Sequence, residues 1–314
     1  MIYYNIMELN PKTKPEFAGR VNQGGSEIFI SAPAKINLFL KVTGKRPDGY
    51  HDIYSWFQAV DLADHLLIRK LTKPDILIET NWESIPIGPN NLVYKAAELI
   101  QRNFGRNLGF KITLFKQIPA GAGLGGGSSD AAAFIKAANK LVNLNLSRQE
   151  MEKIGLEIGS DVPFFFGTGQ AEVCGRGENV KSFQLPIDYK VILVTPDFEI
   201  RAAKAYRILK LDLTEPLRNV NLICCKTTAE LFGVISQMAN DLEIELKKLY
   251  PVLGDIEERL IKAGARIARL SGSGPTIFGL FDKGAVEEEF ALSFVGEGWG
   301  CFDVDPLILP LRVS

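Results

Sequence analysis

Residues Pro119 to Ala133 read PAGAGLGGGSSDAAA, with Gly121, Gly123, Gly125, Gly126 and Gly127 preceded by Ala120 and separated only by Ala122 and Leu124. Without Cβ atoms in the way, backbone N–H groups can close on a ligand. Ser128, Ser129 and Asp130 are helix N-cap types, and Ala131 to Ile135 begins an apolar-faced helix. A glycine loop running into a helix N-terminus gives converging donors and a positive dipole end, which suits phosphate. A bound nucleotide is expected along Pro119 to Ser129.

Other glycine loops fit less well. A Walker A loop ends in Gly-Lys-Ser/Thr, whereas Gly127 is followed by Ser128 and the first basic residue is Lys136, inside the helix. Gly121, Gly123 and Gly126 match the dinucleotide fingerprint formally, but no acid appears between Asp130 and Glu150, where a ribose partner would stand. A flexible linker would not lie between an alternating strand (Phe110 to Ile118) and a helix bearing Phe134, Ile135, Ala138, Leu141 and Val142 on one face.

Phosphoryl transfer also needs charge neutralisation and a proton acceptor. Asp161 lies in Ile158-Gly159-Ser160-Asp161-Val162-Pro163-Phe164, at a helix end beside apolar residues. Partial desolvation there would raise its basicity; a simple capping aspartate is the competing reading. Lys35 interrupts the apolar run Ala32-Pro33-Ala34-Lys35-Ile36 and would not stay buried unpaired. Asp161 is its candidate partner, and a strand-edge lysine is the alternative. Asn37, two residues on, shares a strand face with Lys35. Of the two histidines, His65 sits in an alternating strand and reads as structural. His51 follows Asp48-Gly49-Tyr50 in a turn with no Ser or Cys nucleophile nearby, which suits recognition better than base catalysis.

Three segments occur together: the glycine loop, Pro33-Ala34-Lys35-Ile36-Asn37-Leu38 running on to Gly44-Lys45-Arg46-Pro47-Asp48-Gly49-Tyr50-His51, and Leu270-Ser271-Gly272-Ser273-Gly274-Pro275-Thr276-Ile277-Phe278. In type and order they resemble the GHMP kinases (galactose, homoserine, mevalonate and phosphomevalonate kinases), over most of the chain from Ser31 to Phe281. The N-terminal segment is similar to the branch whose acceptor is 4-diphosphocytidyl-2-C-methyl-D-erythritol. The resemblance implies an α+β, two-lobed GHMP kinase fold. Its N-terminal lobe would be ribosomal-protein-S5-domain-2-like and its C-terminal lobe ferredoxin-like, with the active site between them. It implies phosphorylation of the acceptor's 2-hydroxyl by ATP, supplied with Mg2+ as Mg-ATP, in non-mevalonate isoprenoid precursor synthesis.

The same resemblance implies residue roles. Lys35 and Asp161 would be catalytic, and Asn37 would bind the erythritol or phosphate part. Tyr50 and His51 would clamp the cytidine, with Tyr206 on the opposite face of the base. Arg201-Ala202 stand where the family carries hydroxyl residues near that tyrosine. Ser128 or Ser129 would meet phosphate or Mg2+, Lys116 would lie near the nucleotide, and Asn91 would contact adenine. The last two equally suit a strand-surface lysine and a helix N-cap. The Gly272/Gly274 loop would let the second lobe's backbone approach the substrate or the glycine loop. No metal-ligand set is expected. Homoserine or mevalonate kinases have no cytidine to clamp, so the DGYH turn argues against them. A nucleotide-regulated binding protein would need no Lys35–Asp161 pair.

The chain of 314 residues balances 36 Lys+Arg against 37 Asp+Glu, so no basic field draws it to nucleic acid. Cys174, Cys224, Cys225 and Cys301 lack paired spacing and read as thiols in a reducing compartment. Met1 to Gln23 holds no long apolar run, so no signal peptide or membrane contact is expected. The expectation is a cytoplasmic monomer or weak homodimer: an arm at 1–27, an ATP-binding domain at 28–186 and a C-terminal domain at 187–314. Strands are predicted at Glu27–Ser31, Ile36–Thr43, Tyr54–Asp61, His65–Lys70, Ile76–Thr80, Phe110–Ile118, Lys190–Thr195, Ile267–Leu270 and Thr276–Phe281, with a hairpin over Thr168–Glu178. Helices are predicted at Asn91–Phe104, Ser129–Val142, Ser147–Ile158 (with a Ser147/Glu150 capping box), Arg201–Leu209, Thr227–Val234, Asp241–Tyr250 and Gly254–Ala263.

Overall fold

The computed structural model describes residues 27–209, 225–285 and 288–309. The expected N-terminal arm and Cys224 lie outside the described residues, except for Glu27, which opens the first strand. Two long strands, β1 (Glu27–Lys45) and β2 (His51–Leu71), pair antiparallel along most of their length. Four shorter strands were predicted there. The breaks are absorbed by register shifts at Pro33/Ala34, Asn37/Phe39 and Val42/Gly44, local bulges that bend a strand without ending it.

Because β2 is so long, it serves two further neighbours. Its C-terminal half pairs with β4 (Gly109–Phe115) and its N-terminal half with β5 (Gln170–Gly175). β3 (Ile76–Thr80) lies parallel to β4, joined to it through α1 (Leu92–Phe104), and β6 (Asn179–Ser182) completes the sheet. α2 (Gly126–Leu141) and α3 (Arg148–Ile158) pack with this sheet around a core that includes Phe57, Phe110, Phe134 and Phe164. The Ser147/Glu150 capping box at α3 is present. β4 stops short of the predicted Ile118 because the Asp64 carboxylate, rather than a neighbouring strand, takes the N–H groups of Gln117 (2.6 Å) and Ile118 (2.9 Å).

The second sheet contains β7 (Tyr189–Thr195), β8 (Ile267–Leu270), β9 (Ile277–Asp282) and β10 (Gly300–Val304), in the order β10-β7-β9-β8, all antiparallel. Helices α4 (Ala202–Ile208), α5 (Thr228–Ser236), α6 (Glu243–Leu249) and α7 (Val252–Lys262) separate β7 from β8, and α8 (Glu288–Val295) separates β9 from β10. This is the ferredoxin-like β-α-β-β-α-β succession, with extra helices in the first crossover. α8 and β10 were not predicted; β10 is a half-buried edge strand whose sequence carries little alternation. The chain then leaves the second lobe. Leu307 donates to Ala59 O (2.8 Å) and Leu309 to Thr168 O (2.7 Å), so residues 307–309 dock on the first lobe although the predicted boundary assigned them to the second.

Candidate active site

The glycine loop leads straight into α2, which starts at Gly126, earlier than the predicted Ser129. Gly125, at φ +72°, takes the N-cap position, and Ser129 N–H already bonds Gly125 O at 2.9 Å. Ser128, Ser129 and Asp130 are therefore inside the helix and do not cap it. Glycine makes this entry cheap, since any other L residue would be strained there. The first-turn N–H groups have no intrahelical acceptor and remain for a ligand, at the positive end of the helix. Gly121 and Gly127 on the loop are exposed, while Ala122 and Leu124 are buried as its anchors.

Lys35 on β1 lies directly against this loop. Its N–H donates to Leu124 O (2.9 Å), and its ammonium donates to Gly123 O (2.9 Å) and to Asn37 Oδ1 (2.6 Å). The Lys35 ammonium also faces the Asp161 carboxylate at 3.8 Å. The lysine is only 3% exposed. Burial lowers its pKa from the ordinary lysine value, with the Asp161 charge opposing that shift. Asp161 precedes a 3₁₀ turn (Val162–Phe166), makes no side-chain capping hydrogen bond, and leaves its side chain one-third exposed (33%). The capping alternative for Asp161 is not what the structure shows. A partly exposed carboxylate beside a buried ammonium and a phosphate loop can accept a proton from a hydroxyl placed between them.

Asn37 differs from expectation. Its carbonyl oxygen is taken by Lys35 and its amide nitrogen donates to Ser55 Oγ (3.0 Å), so the side chain aims Lys35 and has little left for a substrate. Asn91 likewise behaves as an N-cap: Oδ1 accepts from Val93 N (2.8 Å) and Nδ2 donates to Pro86 O (2.7 Å). Lys116 is buried and donates to Asp64 and to Asp130 (2.8 Å). Burial works against its charge, yet the two carboxylates prevail and raise its pKa. Lys116 therefore braces the base of the loop in place of reaching outward. Asp130, held up in pKa by burial and then by Asp64, keeps Oδ1 unpartnered, as does the buried Ser129 hydroxyl above it.

At the other end of β1 and β2, Tyr50 is 54% exposed with the Arg176 guanidinium 5.3 Å from its ring centre. His51 stacks on Tyr206 with centroids 5.2 Å apart and rings 18° from parallel. Tyr206 therefore backs the His51 ring. Burial and then Lys45 lower the His51 pKa, leaving the imidazole neutral at neutral pH, with one donor and one acceptor. His65 accepts or donates to Ser31 Oγ (3.0 Å) and stacks on Phe29, a structural setting.

Sequence reasoning passed over Lys136 and Ser271. Lys136, on α2, donates to Phe165 O (2.6 Å) and ties the phosphate-loop helix to the turn that begins at Asp161; burial brings its pKa down to about 8. A lysine on the buried side of an apolar helix was the available signal. Ser271 accepts from Asn37 N (3.3 Å) and donates to Gly123 O (3.0 Å), so the Gly272/Gly274 loop approaches the glycine loop itself.

A phosphate loop between two such lobes, with a buried lysine facing an aspartate, defines a small-molecule kinase of the GHMP class. Residues 91–169 match the GHMP kinases N terminal domain, and residues 223–293 match the GHMP kinases C terminal domain. The chain is 42% identical, over 91% of its length and all of the relative, to a 4-diphosphocytidyl-2-C-methyl-D-erythritol kinase of Thermodesulfovibrio yellowstonii. A crystal structure of 4-(cytidine 5'-diphospho)-2C-methyl-D-erythritol kinase superposes with TM-score 0.74 at 30% identity, covering 89% of this chain and 99% of the other. A homoserine kinase from Cytophaga hutchinsonii, 20% identical, shares the fold at TM-score 0.71, covering 92% and 97%. The chain belongs to the 4-diphosphocytidyl-2-C-methyl-D-erythritol kinase branch of the GHMP kinase family.

Proposed function

We propose that this protein transfers the γ-phosphoryl group of ATP to the 2-hydroxyl of 4-diphosphocytidyl-2-C-methyl-D-erythritol, a step in isoprenoid precursor synthesis. The observation that carries the reading is the Lys35–Asp161 pair set against the glycine loop. The acceptor hydroxyl attacks the γ-phosphorus, the bond to the β,γ-bridging oxygen breaks, and ADP leaves. Asp161 takes the hydroxyl proton. Lys35, oriented by Asn37 and Gly123 O, offsets the charge on the transferring group. The loop and the first turn of α2 hold the phosphates. Tyr50 offers a stacking face to cytosine, and neutral His51, backed by Tyr206, reads its edge; such stacking is worth about 1–3 kcal/mol per base.

Among the described residues no three His, Cys, Asp or Glu side chains converge as a metal cage. Mg2+ would arrive on the ATP phosphates, where it would neutralise charge. Ser128 and the unpartnered Ser129 hydroxyl are the loop's available ligands for it. No helix among the described residues is long and apolar enough to cross a membrane. We extend the proposal to a cytoplasmic enzyme that is a monomer or weak homodimer.

The test is ADP release with Mg-ATP and the cytidine compound, homoserine, mevalonate or no acceptor. Turnover confined to the cytidine compound is expected. Turnover with another acceptor would overturn the substrate, and none with any acceptor would overturn the kinase reading.

A further inference from the structure

We infer that Asn240 is a positioning residue for the reaction centre, holding the Ser271–Gly272 turn against Lys35, Asn37 and Gly123 through its side-chain amide. This deepens the kinase reading and rests on it. Asn240 is 1% exposed. Its Nδ2 donates to both Leu270 O (2.9 Å) and Gly272 O (2.8 Å), while Oδ1 accepts from Leu242 N (3.0 Å). Both amide hydrogens are thus spent on the one turn that reaches the phosphate loop.

That turn has little room to move. A Cβ on Gly272 would lie 3.0 Å from Asn37 Oδ1 and 3.4 Å from the Lys35 ammonium. Ser271 donates to Gly123 O, the carbonyl that also accepts from Lys35. Asn240, the turn, Gly123 O and Lys35 therefore form one continuous set of hydrogen bonds. The next residue does something else. Asp241 accepts from Val42 N (2.8 Å) and Lys41 (2.7 Å), fastening the second lobe to the edge of β1 without touching the turn. Stitching the lobes and aiming the turn thus fall to adjacent residues, which makes them separable.

The experiment compares Asn240→Asp, Asn240→Ala and Asp241→Asn in the full chain. Asn240→Asp keeps the shape and the Leu242 acceptor but sets an oxygen against two carbonyls. The expected result is that kcat and kcat/KM of both Asn240 variants fall together by about tenfold or more, with KM for ATP and acceptor little changed, as for an interaction felt in the transition state. Asp241→Asn should lower thermal stability and leave kcat intact. The activity-independent readout is acylation of Lys35 by an amine-selective reagent, followed by mass spectrometry. Labelling should rise in the Asn240 variants and stay at the wild-type level in Asp241→Asn. Wild-type kcat and Lys35 labelling in a folded Asn240 variant would overturn the inference, as would equal effects from Asp241→Asn. If Asn240→Asp does not fold, Asn240→Ala decides by the same readouts. An inactive wild type would sink the kinase reading instead, with the labelling comparison still deciding the role of Asn240.

Discussion

Replacing Gly123 with alanine perturbs the site at its tightest point. Gly123 has φ +76°, and an added Cβ would lie 2.2 Å from Ser271 O and 3.0 Å from Gly274 N, against 3.4 Å or more for an ordinary contact. The left-handed backbone alone costs an alanine about 1–2 kcal/mol. Relief of the overlap requires the two loops to separate by over an ångström, and both neighbours are backbone, which cannot rotate away as a side chain would. The Gly123 carbonyl that holds the Lys35 ammonium would move with them. Misplacement on that scale costs a phosphoryl-transfer enzyme on the order of 10²-fold in rate. The assay is kcat, KM for ATP and thermal midpoint, with Gly254→Ala as the control. Gly254 lies in α7 with nothing within 4 Å of an added Cβ. That change should leave kcat alone and stabilise by about 0.5–1 kcal/mol through helix propensity. Wild-type kcat in Gly123→Ala would refute the claim that loop contact positions Lys35.

Tyr50→Ala should raise KM for the acceptor with kcat nearly unchanged, as expected for uniform binding; a change confined to kcat would sink the stacking role. Lys35 must be protonated to offset phosphoryl charge, and burial lowers its pKa. The alkaline limb of kcat/KM should therefore fall below the ordinary lysine value of about 10.4, and a limb at or above it would contradict that assignment. Asp130 has a folded pKa raised above its unfolded value, so the folded state holds a proton that the unfolded chain releases. Its contribution is fully present below the unfolded pKa of about 4 and is lost as pH rises through the folded value. Asp130→Asn, which mimics the protonated form, should gain stability relative to wild type as pH rises through that window; parallel denaturation profiles would refute this.

What the sequence revealed and what it concealed have separate physical causes. The glycine loop was legible because close backbone approach leaves a mark in residue type, and the capping box of α3 because its two partners are three residues apart. The 3.8 Å approach of Lys35 to Asp161 was inferable from the cost of burying a lysine unpaired. Asn91 forms the local N-cap that was its alternative reading. Asn37 and Lys116 were given ligands, yet each is satisfied by protein, and their partners Ser55 and Asp64 are fixed by tertiary packing, which spacing along the chain does not encode. The Asn240 contacts span about thirty residues of sequence and left no local pattern. β1 and β2 were cut in two because a bulge looks like a strand end when only alternation is read.

The central claim is that Asp161 accepts the acceptor's proton beside Lys35 during transfer from ATP. Its most direct test is a rapid-quench single turnover of wild type and Asp161→Asn with radiolabelled Mg-ATP and the cytidine compound, with both affinities measured on the same preparations. The account predicts that the variant binds both ligands as wild type does and forms the labelled phosphomonoester at least about 10²-fold more slowly, the scale of lost general-base catalysis. Label transfer at the wild-type rate in Asp161→Asn would contradict it.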